Sequence, residues 1–506
     1  MSKTHTERTF NSVNWNLLRV VIQTVVGLAV GILLARMLPP EDFGLLASAM
    51  IFIGFAETIG SLGMGSAVIQ RPNLTEVQRR IAATLSLIMG LLLTLLVVAL
   101  APLLAMAFDN EQVTLVVRIM SISLFISALS AVSRGMLMRR LDFKLLFFIE
   151  LASYIAGYAG LSLLLVFNGY GVWGLVWGAL LSIGLSSVLV IWFEPLKLQW
   201  HLPRKDVMSL LHFGGGMSLN SIINYFAANV DYFAIGKFLN QHSLGLYSRA
   251  YHLVTLPLTK IATTLTSVMF PAYSEIQANP KRVKEIYYRV IQVVSLIVLP
   301  VMMSFSASAE YIIVGLYGEN WTEAVSAFRI LAVAGIFKVI FHLAGPVVQA
   351  TGHVYKELRR QAVYFVLLAV GCFSVADRGI EAVACVVVVG SLWLYFSMAQ
   401  LALGILEGRW REFFLAQLPG VSLGVLVVLA NIGVTLCLVS HQLPEAVMLL
   451  IVIASSAFAY LLGFLFLPSI LVGNGPAWLI DKYVHKAPIP IVLKGWLQAR
   501  RPYNKS

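Results

Sequence analysis

Charged side chains set inside apolar stretches are the residues of this sequence with chemistry open to them. Arg19, Glu57, Arg118, Asp231, Arg249, Lys260, Arg329 and Lys338 are eight of those that fall within long hydrophobic runs. In a bilayer each costs from ~2.5 kcal/mol upward, so each needs a partner, a route to the interface or a function. Six of the eight are cations. A cavity lined by them would attract an anionic head group such as a diphosphate or an acidic sugar. Arg19 lies about one turn from the end of its run, where snorkelling to the surface and function are both open. Asp231 and Arg249 lie near run ends, within reach of headgroups or of each other. Lys260, Lys338 and Glu57 lie deeper, where internal pairing or function is the better reading. Glu57 is placed to neutralise Lys260, and Glu57 and Asp231 are the candidates for coupling to an ion. Asn220, Asn224 and Asn229 with Tyr225 follow the run Gly214-Gly215-Gly216. Amides and phenols suit sugar hydroxyls and helix-to-helix hydrogen bonds alike, so Asn220, Asn224 and Tyr225 are candidate sugar contacts. A phosphate-binding Gly-rich loop ending in Lys-Ser/Thr and an HExxH pair are both missing from the sequence. No catalytic residue, cofactor or metal ion is expected.

The elements that must hold these charges follow from composition. Charged residues are 12% of the 506, about half the share of a soluble domain, and mean hydropathy is +0.85. Lipid-facing backbone must satisfy its own hydrogen bonds, which leaves helices or closed barrels, and the apolar runs have helix length. Fourteen can be marked: 14–37, 43–68, 81–107, 112–135, 144–167, 170–193, 210–236, 244–269, 287–308, 324–350, 361–376, 380–404, 418–439 and 446–468. Two short hairpins, through Asn168-Gly169-Tyr170-Gly171 and Asp377-Arg378-Gly379, turn on glycine. Pro257, Pro300 and Pro346 lie within runs and loosen their helices. Cys372, Cys385 and Cys437 lie apart in apolar segments and read as small buried hydrophobes. No small-residue cleavage site follows the first apolar run, so that helix is expected to act as its own insertion signal.

The net charge of +12 is an orientation signal rather than a nucleic-acid footprint. Of the 36 basic residues, 27 fall at alternate connections and the termini, and only Arg36, Lys237 and Arg378 fall on the other side. That asymmetry puts both termini in the cytoplasm, with the basic residues solvated beside anionic headgroups. The stretch from Trp478 to Arg501 mixes Trp, Ile and Leu with Lys and Arg and reads either as a surface-lying segment or as a disordered basic tail.

An internal repeat organises the runs. Leu38, Gly44, Leu45 and Ala49 recur 201 positions later as Leu239, Gly245, Leu246 and Ala250, and Arg118-Ile119-Met120 parallels Arg329-Ile330-Leu331. An even number of spans per copy gives both copies the same orientation, related by an axis along the membrane normal with a pathway between them. The expected fold is an all-α membrane protein of about 14 transmembrane helices, two six-helix repeats of parallel topology plus two C-terminal helices. Residues 1–200 form the N-terminal bundle, 201–405 the C-terminal bundle, 406–470 the additional pair and 471–506 a basic tail. Arg118 and Arg329 match across the repeat and are expected on opposite walls of one cavity.

Ser221-Ile222-Ile223-Asn224-Tyr225, Gly245-Leu246-Tyr247-Ser248-Arg249-Ala250-Tyr251, Phe270-Pro271-Ala272 and Gly318-Glu319-Asn320-Trp321 occur in that order, after Phe43-Gly44-Leu45 and Ile69-Gln70-Arg71. Together they resemble the polysaccharide transporter (Wzx-type flippase) family of the multidrug/oligosaccharidyl-lipid/polysaccharide superfamily, nearest its colanic-acid exporter branch, over nearly the whole chain. The resemblance implies export of undecaprenyl-diphosphate-linked oligosaccharide across the bacterial cytoplasmic membrane by alternating access. It also implies coupling to H+ or Na+ and cooperation with polysaccharide polymerase and export machinery. Two other readings compete. A multidrug extruder of the same superfamily would favour acidic cavities for cationic drugs, against six cations here. A membrane glycosyltransferase or polymerase needs longer extracytoplasmic loops than the stretch from Ala309 to Trp321.

The basic-residue asymmetry makes a direct prediction. In a variant freed of its native cysteines, Leu316→Cys reacts with a membrane-impermeant thiol reagent in intact cells. Labelling only after lysis overturns the topology.

Overall fold

The computed structural model of the chain describes residues 5–60, 68–69, 74–204, 207–208, 218–438 and 443–466; the side chains of residues 5–14, 16–19, 218–220, 260–264 and 267 lie outside that description. Among the described residues all regular structure is helical. The helices are α1 (His5–Met37), α2 (Pro40–Gly60), α3 (Glu76–Ala107), α4 (Gln112–Met120), α5 (Ile122–Arg139), α6 (Phe143–Tyr154), α7 (Ser162–Phe167), α8 (Val172–Phe193), α9 (Ser218–Phe238), α10 (Gln241–Ile276), α11 (Pro280–Ala307), α12 (Ala309–Tyr317), α13 (Ala324–Ala350), α14 (Val354–Val375), α15 (Ile380–Leu406), α16 (Trp410–Leu438) and α17 (Glu445–Phe466). Twelve stretches among the described residues are long and apolar enough to cross a bilayer. They fall on twelve of the fourteen expected segments, and α9 and α10 fall on the other two.

Local sequence sets the ends of these helices. Thr75 and Gln78 form a reciprocal capping box that opens α3, and Asn279 caps α11 with Pro280 in its first turn. Gly171 and Gly379 take φ of +54° and +106° in the two hairpins, a backbone that side chains with a Cβ rarely adopt. The stretch Ala309 to Trp321, expected as a loop, is instead α12 followed by a 3-10 turn. Its apolar side chains find cover, and Ile313 and Trp321 are fully buried.

The chain packs as two compact units, one of Met1–Arg249 with Ala369–Ile380 and one of Ala250–Leu368 with Glu381–Ser506. In the first, polar bonds staple helices at both ends. Glu194, almost fully buried, pairs with Arg79 at 2.6 Å and Arg140 at 2.7 Å. Arg79, expected to be solvated, is instead largely withdrawn beside Glu194, while Arg140 reaches the same carboxylate from an exposed position, since a carboxylate withdrawn from water needs cations beside it. At the opposite ends, Lys237 lies 3.5 Å from Asp109 and His242 lies 2.7 Å from Glu41. Each of these pairs joins helix ends that the charge count places on one face.

In the second unit, α16 lies along α11 through small residues: a Cβ on Gly420 would overlap the Ser295 carbonyl. Asn431, 1% exposed on α16, then ties the last two helices to the rest. Its amide nitrogen donates to Ser304 and Ser308, each at 3.1 Å, and its oxygen accepts from Ser455 at 2.7 Å and Ser456 at 3.0 Å. Cys372 is buried as expected, but Cys385 and Cys437 are exposed. An apolar surrounding in sequence does not imply protein cover where the outer faces of helices meet lipid.

The start of α2 and the start of α10 cross through the two glycines of the repeat. A Cβ on Gly44 would overlap the Gln241 carbonyl, and a Cβ on Gly245 would overlap the Pro40 carbonyl. The contact is reciprocal, because Gln241 lies 201 positions after Pro40, the offset that also relates Gly245 to Gly44. Backbone cannot yield as a flexible side chain can. Gly245→Ala is therefore expected to destabilise the folded protein by about 1–3 kcal/mol, read as an earlier thermal unfolding midpoint in detergent. Gly433→Ala, where nothing lies within 4 Å, is the control and should be neutral or stabilising. Equal midpoints for the two variants would remove the crossing as a constraint.

Candidate functional site

The sequence-predicted residues divide by where their helices carry them. Arg19, Asn220 and Lys260 stand on α1, α9 and α10, and their side chains lie outside the described residues. So do the Glu57–Lys260 pairing, the glycine run 214–216 and the stretch 478–501.

In the first unit, Asp231 is 2% exposed and faces inward rather than toward headgroups. It accepts a 2.7 Å bond from the Tyr247 hydroxyl and a 3.0 Å bond from the Tyr232 N–H. That hairpin of α9 and α10 thus satisfies a carboxylate that hydrocarbon would reject. The guanidinium of Arg249 lies 3.9 Å from the centre of the Phe43 ring, which joins the first turns of α2 to those of α10 by a cation–π contact. Nearby, the Ser48 hydroxyl donates to the Gln241 side-chain oxygen at 2.9 Å. Tyr225 donates to the Ile51 carbonyl at 2.6 Å and packs where Gly54 leaves room. The Asn229 amide donates to the Tyr225 carbonyl at 2.8 Å. Asn224 is exposed on the same helix. Arg118 is exposed on α4, with exposed Leu115 three residues before it and exposed Ile122 four after it. Glu57 is exposed on α2 and opens into a cavity of about 260 Å³ between α2, α3 and α5.

In the second unit, the Lys338 ammonium donates to the Tyr251 hydroxyl and lies 4.6 Å from the centre of that ring. One turn further along α13 stands His342, exposed, its ring tilted against that of Phe341 with centres 4.4 Å apart. Residues four apart share a helix face, so an ammonium and an imidazole present donors to one side. An ammonium and an imidazole on one face have the donors that an oxyanion accepts from. Arg329 is exposed on the same helix, and its carbonyl accepts from Ser306 at 3.1 Å.

Sequence reasoning missed His342, Tyr251 and Glu357. His342 carries no formal charge and stands apart from the amides and phenol of α9, so nothing in the sequence marked it by itself. Its spacing of four from Lys338 was the available signal. Glu357, 7% exposed at the start of α14, accepts from the Gln349 amide at 3.2 Å. It had been absorbed into a connection counted for its basic residues.

Known proteins share this architecture and sequence. A lipid II flippase, MurJ, in an inward closed conformation superposes with a TM-score of 0.72 at 13% identity, over 93% of this chain and all of that one. An inward-facing multidrug resistance MATE transporter superposes at 0.60 with 19% identity, over 76% of this chain and 94% of that one. In sequence, the teichuronic acid biosynthesis protein TuaB of Bacillus subtilis (strain 168) is 23% identical over 424 residues, 82% of this chain and 84% of that protein. The lipopolysaccharide biosynthesis protein WzxC of Escherichia coli (strain K12) is 23% identical over 439 residues, 85% and 88% of the two. The succinoglycan biosynthesis transport protein ExoT of Rhizobium meliloti (strain 1021) is 26% identical over 60% of this chain and 61% of its own length. The ordered motifs around Tyr225, Gly245 and Trp321 thus led to the right relatives. Residues 33–326 match the polysaccharide biosynthesis protein family, and with more than half of its length in that match the chain belongs to this family.

Proposed function

We propose that this protein is a flippase that carries polyprenyl-diphosphate-linked oligosaccharide units from the cytoplasmic to the outer leaflet of the bacterial cytoplasmic membrane. It acts as a transporter rather than an enzyme, by alternating access, with α9 and α10 crossing the membrane as the seventh and eighth of fourteen spans and both termini cytoplasmic. The halves that alternate are the repeats over 1–200 and 201–405. A gradient of H+ or Na+ drives the cycle, and polymerase and export machinery take up the product.

The observation that carries this reading is the donor strip on α13 of a polysaccharide biosynthesis protein: Lys338 held by Tyr251, with His342 one turn on. A cation and an imidazole inside a membrane-crossing helix serve an anion, and the lipid-linked intermediates of such pathways carry theirs as a diphosphate. Asn224 supplies an amide for sugar hydroxyls. Arg249 and Arg19 extend the cationic lining, Lys260 adds an ammonium, and Arg118 and Arg329 receive the head group near release.

Deleting the protein is expected to leave lipid-linked repeat units on the cytoplasmic leaflet and to abolish surface polysaccharide. If repeat units never form while every other pathway gene is expressed, an enzymatic role replaces transport. At equal membrane abundance, Lys338→Ala should lower export by about tenfold or more, the loss of one charge-assisted hydrogen bond, while Lys338→Arg retains most of it. Arg118→Ala and Arg329→Ala should each reduce export, and the corresponding Lys variants only partly restore it, because a guanidinium holds oxyanions by two parallel bonds. Full export by both Ala variants removes these arginines from the path and leaves them at the lipid interface.

A further inference from the structure

The hairpin between α7 and α8 walls a second cavity of the first unit, at the helix ends beside Glu41 and Glu111. Its glycines shape it. Gly169 and Gly171 take φ of +82° and +54° and set Tyr170 between them at the tip of the turn. The Trp173 N–H donates to the Tyr170 carbonyl at 3.1 Å, so the two aromatic residues stand one turn apart. Asp42 from the first turn of α2 and Gln112 from the start of α4 share the same wall, and buried Leu45 and Val116 supply an apolar floor. A Cβ on Gly171 would stand 3.2 Å from Asp42 Oδ2, so glycine lets the carboxylate draw close, and the Val172 N–H donates to it. The space measures about 400 Å³, inside the range of about 300–1,000 Å³ that small-molecule sites occupy.

We infer that this cavity binds an uncharged pyranose sugar and holds the glycan of a translocated unit at the outer face. The inference deepens the flippase reading and rests on it for orientation and for the source of the glycan. Aromatic rings cover the apolar C–H face of a sugar, while the hydroxyls at its edge need acceptors and donors together. Asp42 accepts, and the Gln112 amide does both. Asp42 is the one charged side chain among the described residues that line the cavity, with Glu41 and Glu111 next to it and to Gln112 in sequence. That field repels a phosphate or a uronate. An ammonium would leave the Gln112 donors unanswered, and the start of α8 already meets part of the Asp42 charge. The repeat separates fold from function here. The second copy keeps the glycine that its hairpin needs, since Gly379 stands 208 positions after Gly171 and takes φ of +106°. At the places of Asp42, Tyr170 and Trp173 it has Ser243, Arg378 and Glu381.

Binding is measured without lipid-linked glycan, on the purified full-length protein in detergent with its tryptophans fluorinated. The fluorine signal that Trp173→Phe lacks is the reporter. Methyl glucopyranoside, galactopyranoside and mannopyranoside are titrated against it, with methyl glucuronide and choline chloride as contrasts. A saturable shift by a neutral glycoside is expected, with affinity about tenfold lower in Asp42→Asn, the loss of one charge-assisted hydrogen bond. Tyr170→Ala should weaken binding as well. Tyr170 is 58% exposed, so the other fluorine signals of that variant should stay in place and exclude misfolding. A shift by choline alone, equal affinity for the glucuronide, no shift by any neutral glycoside, or full affinity in both variants overturns the sugar site. Saturable sugar binding by a protein whose deletion leaves surface polysaccharide intact would overturn the flippase reading and leave the site.

Discussion

Asn431 sits on a helix with exposed apolar neighbours, yet its amide meets four serine hydroxyls, two at the end of α11 and two on α17. Hydrocarbon offers no such partners, and the rest of the packing follows from that. A charged or amide group drawn into the bundle costs several kcal/mol if it is left unanswered there. Asp231 is answered by Tyr247, Glu194 by two arginines and Lys338 by Tyr251. These bonds act between helices, where apolar contacts alone gain little over lipid. They set which helices are neighbours, and small residues then set how close the neighbours come.

Close approach is the second half of that logic. Gly420 against the Ser295 carbonyl and Gly157 against the Ser182 backbone let main chains touch, while Gly90 and Gly178 take in the side chains of Ala128 and Ser162. Dispersion and weak C–H contacts then replace the hydrophobic driving force that a soluble core would have. The same choice of small residues, placed beside one carboxylate, leaves a cavity instead of a contact.

Hydropathy made the spans legible, and glycine made the hairpins legible, because both signals are local. Depth could be read the same way, but the direction in which a side chain points around its helix could not. Arg118 and Lys338 both lie well inside apolar runs. One rises between exposed Leu115 and Ile122, while the other is held by a tyrosine from a neighbouring helix. Tyr225 looked available to a sugar until the fold showed its hydroxyl on the α2 backbone. Cys385 and Cys437 failed for a related reason, since apolar sequence marks lipid and protein interior alike. Glu194 was hidden because the arginines that bury it lie 115 and 54 positions away in sequence, each counted for its own connection.

The crossing at Gly44 and Gly245 carries a record of how such a chain can arise. Were the two segments identical chains meeting at a dyad, one glycine would make both contacts, and every residue near the axis would face its own copy. Glu41 and His242 occupy equivalent positions, 201 apart, and lie 2.7 Å from each other. A dimer of identical chains cannot write that pair: it could set only glutamate against glutamate or histidine against histidine. The contact thus sets two different side chains at equivalent positions of the sequence repeat, a complementarity that a symmetric pair of identical chains does not offer.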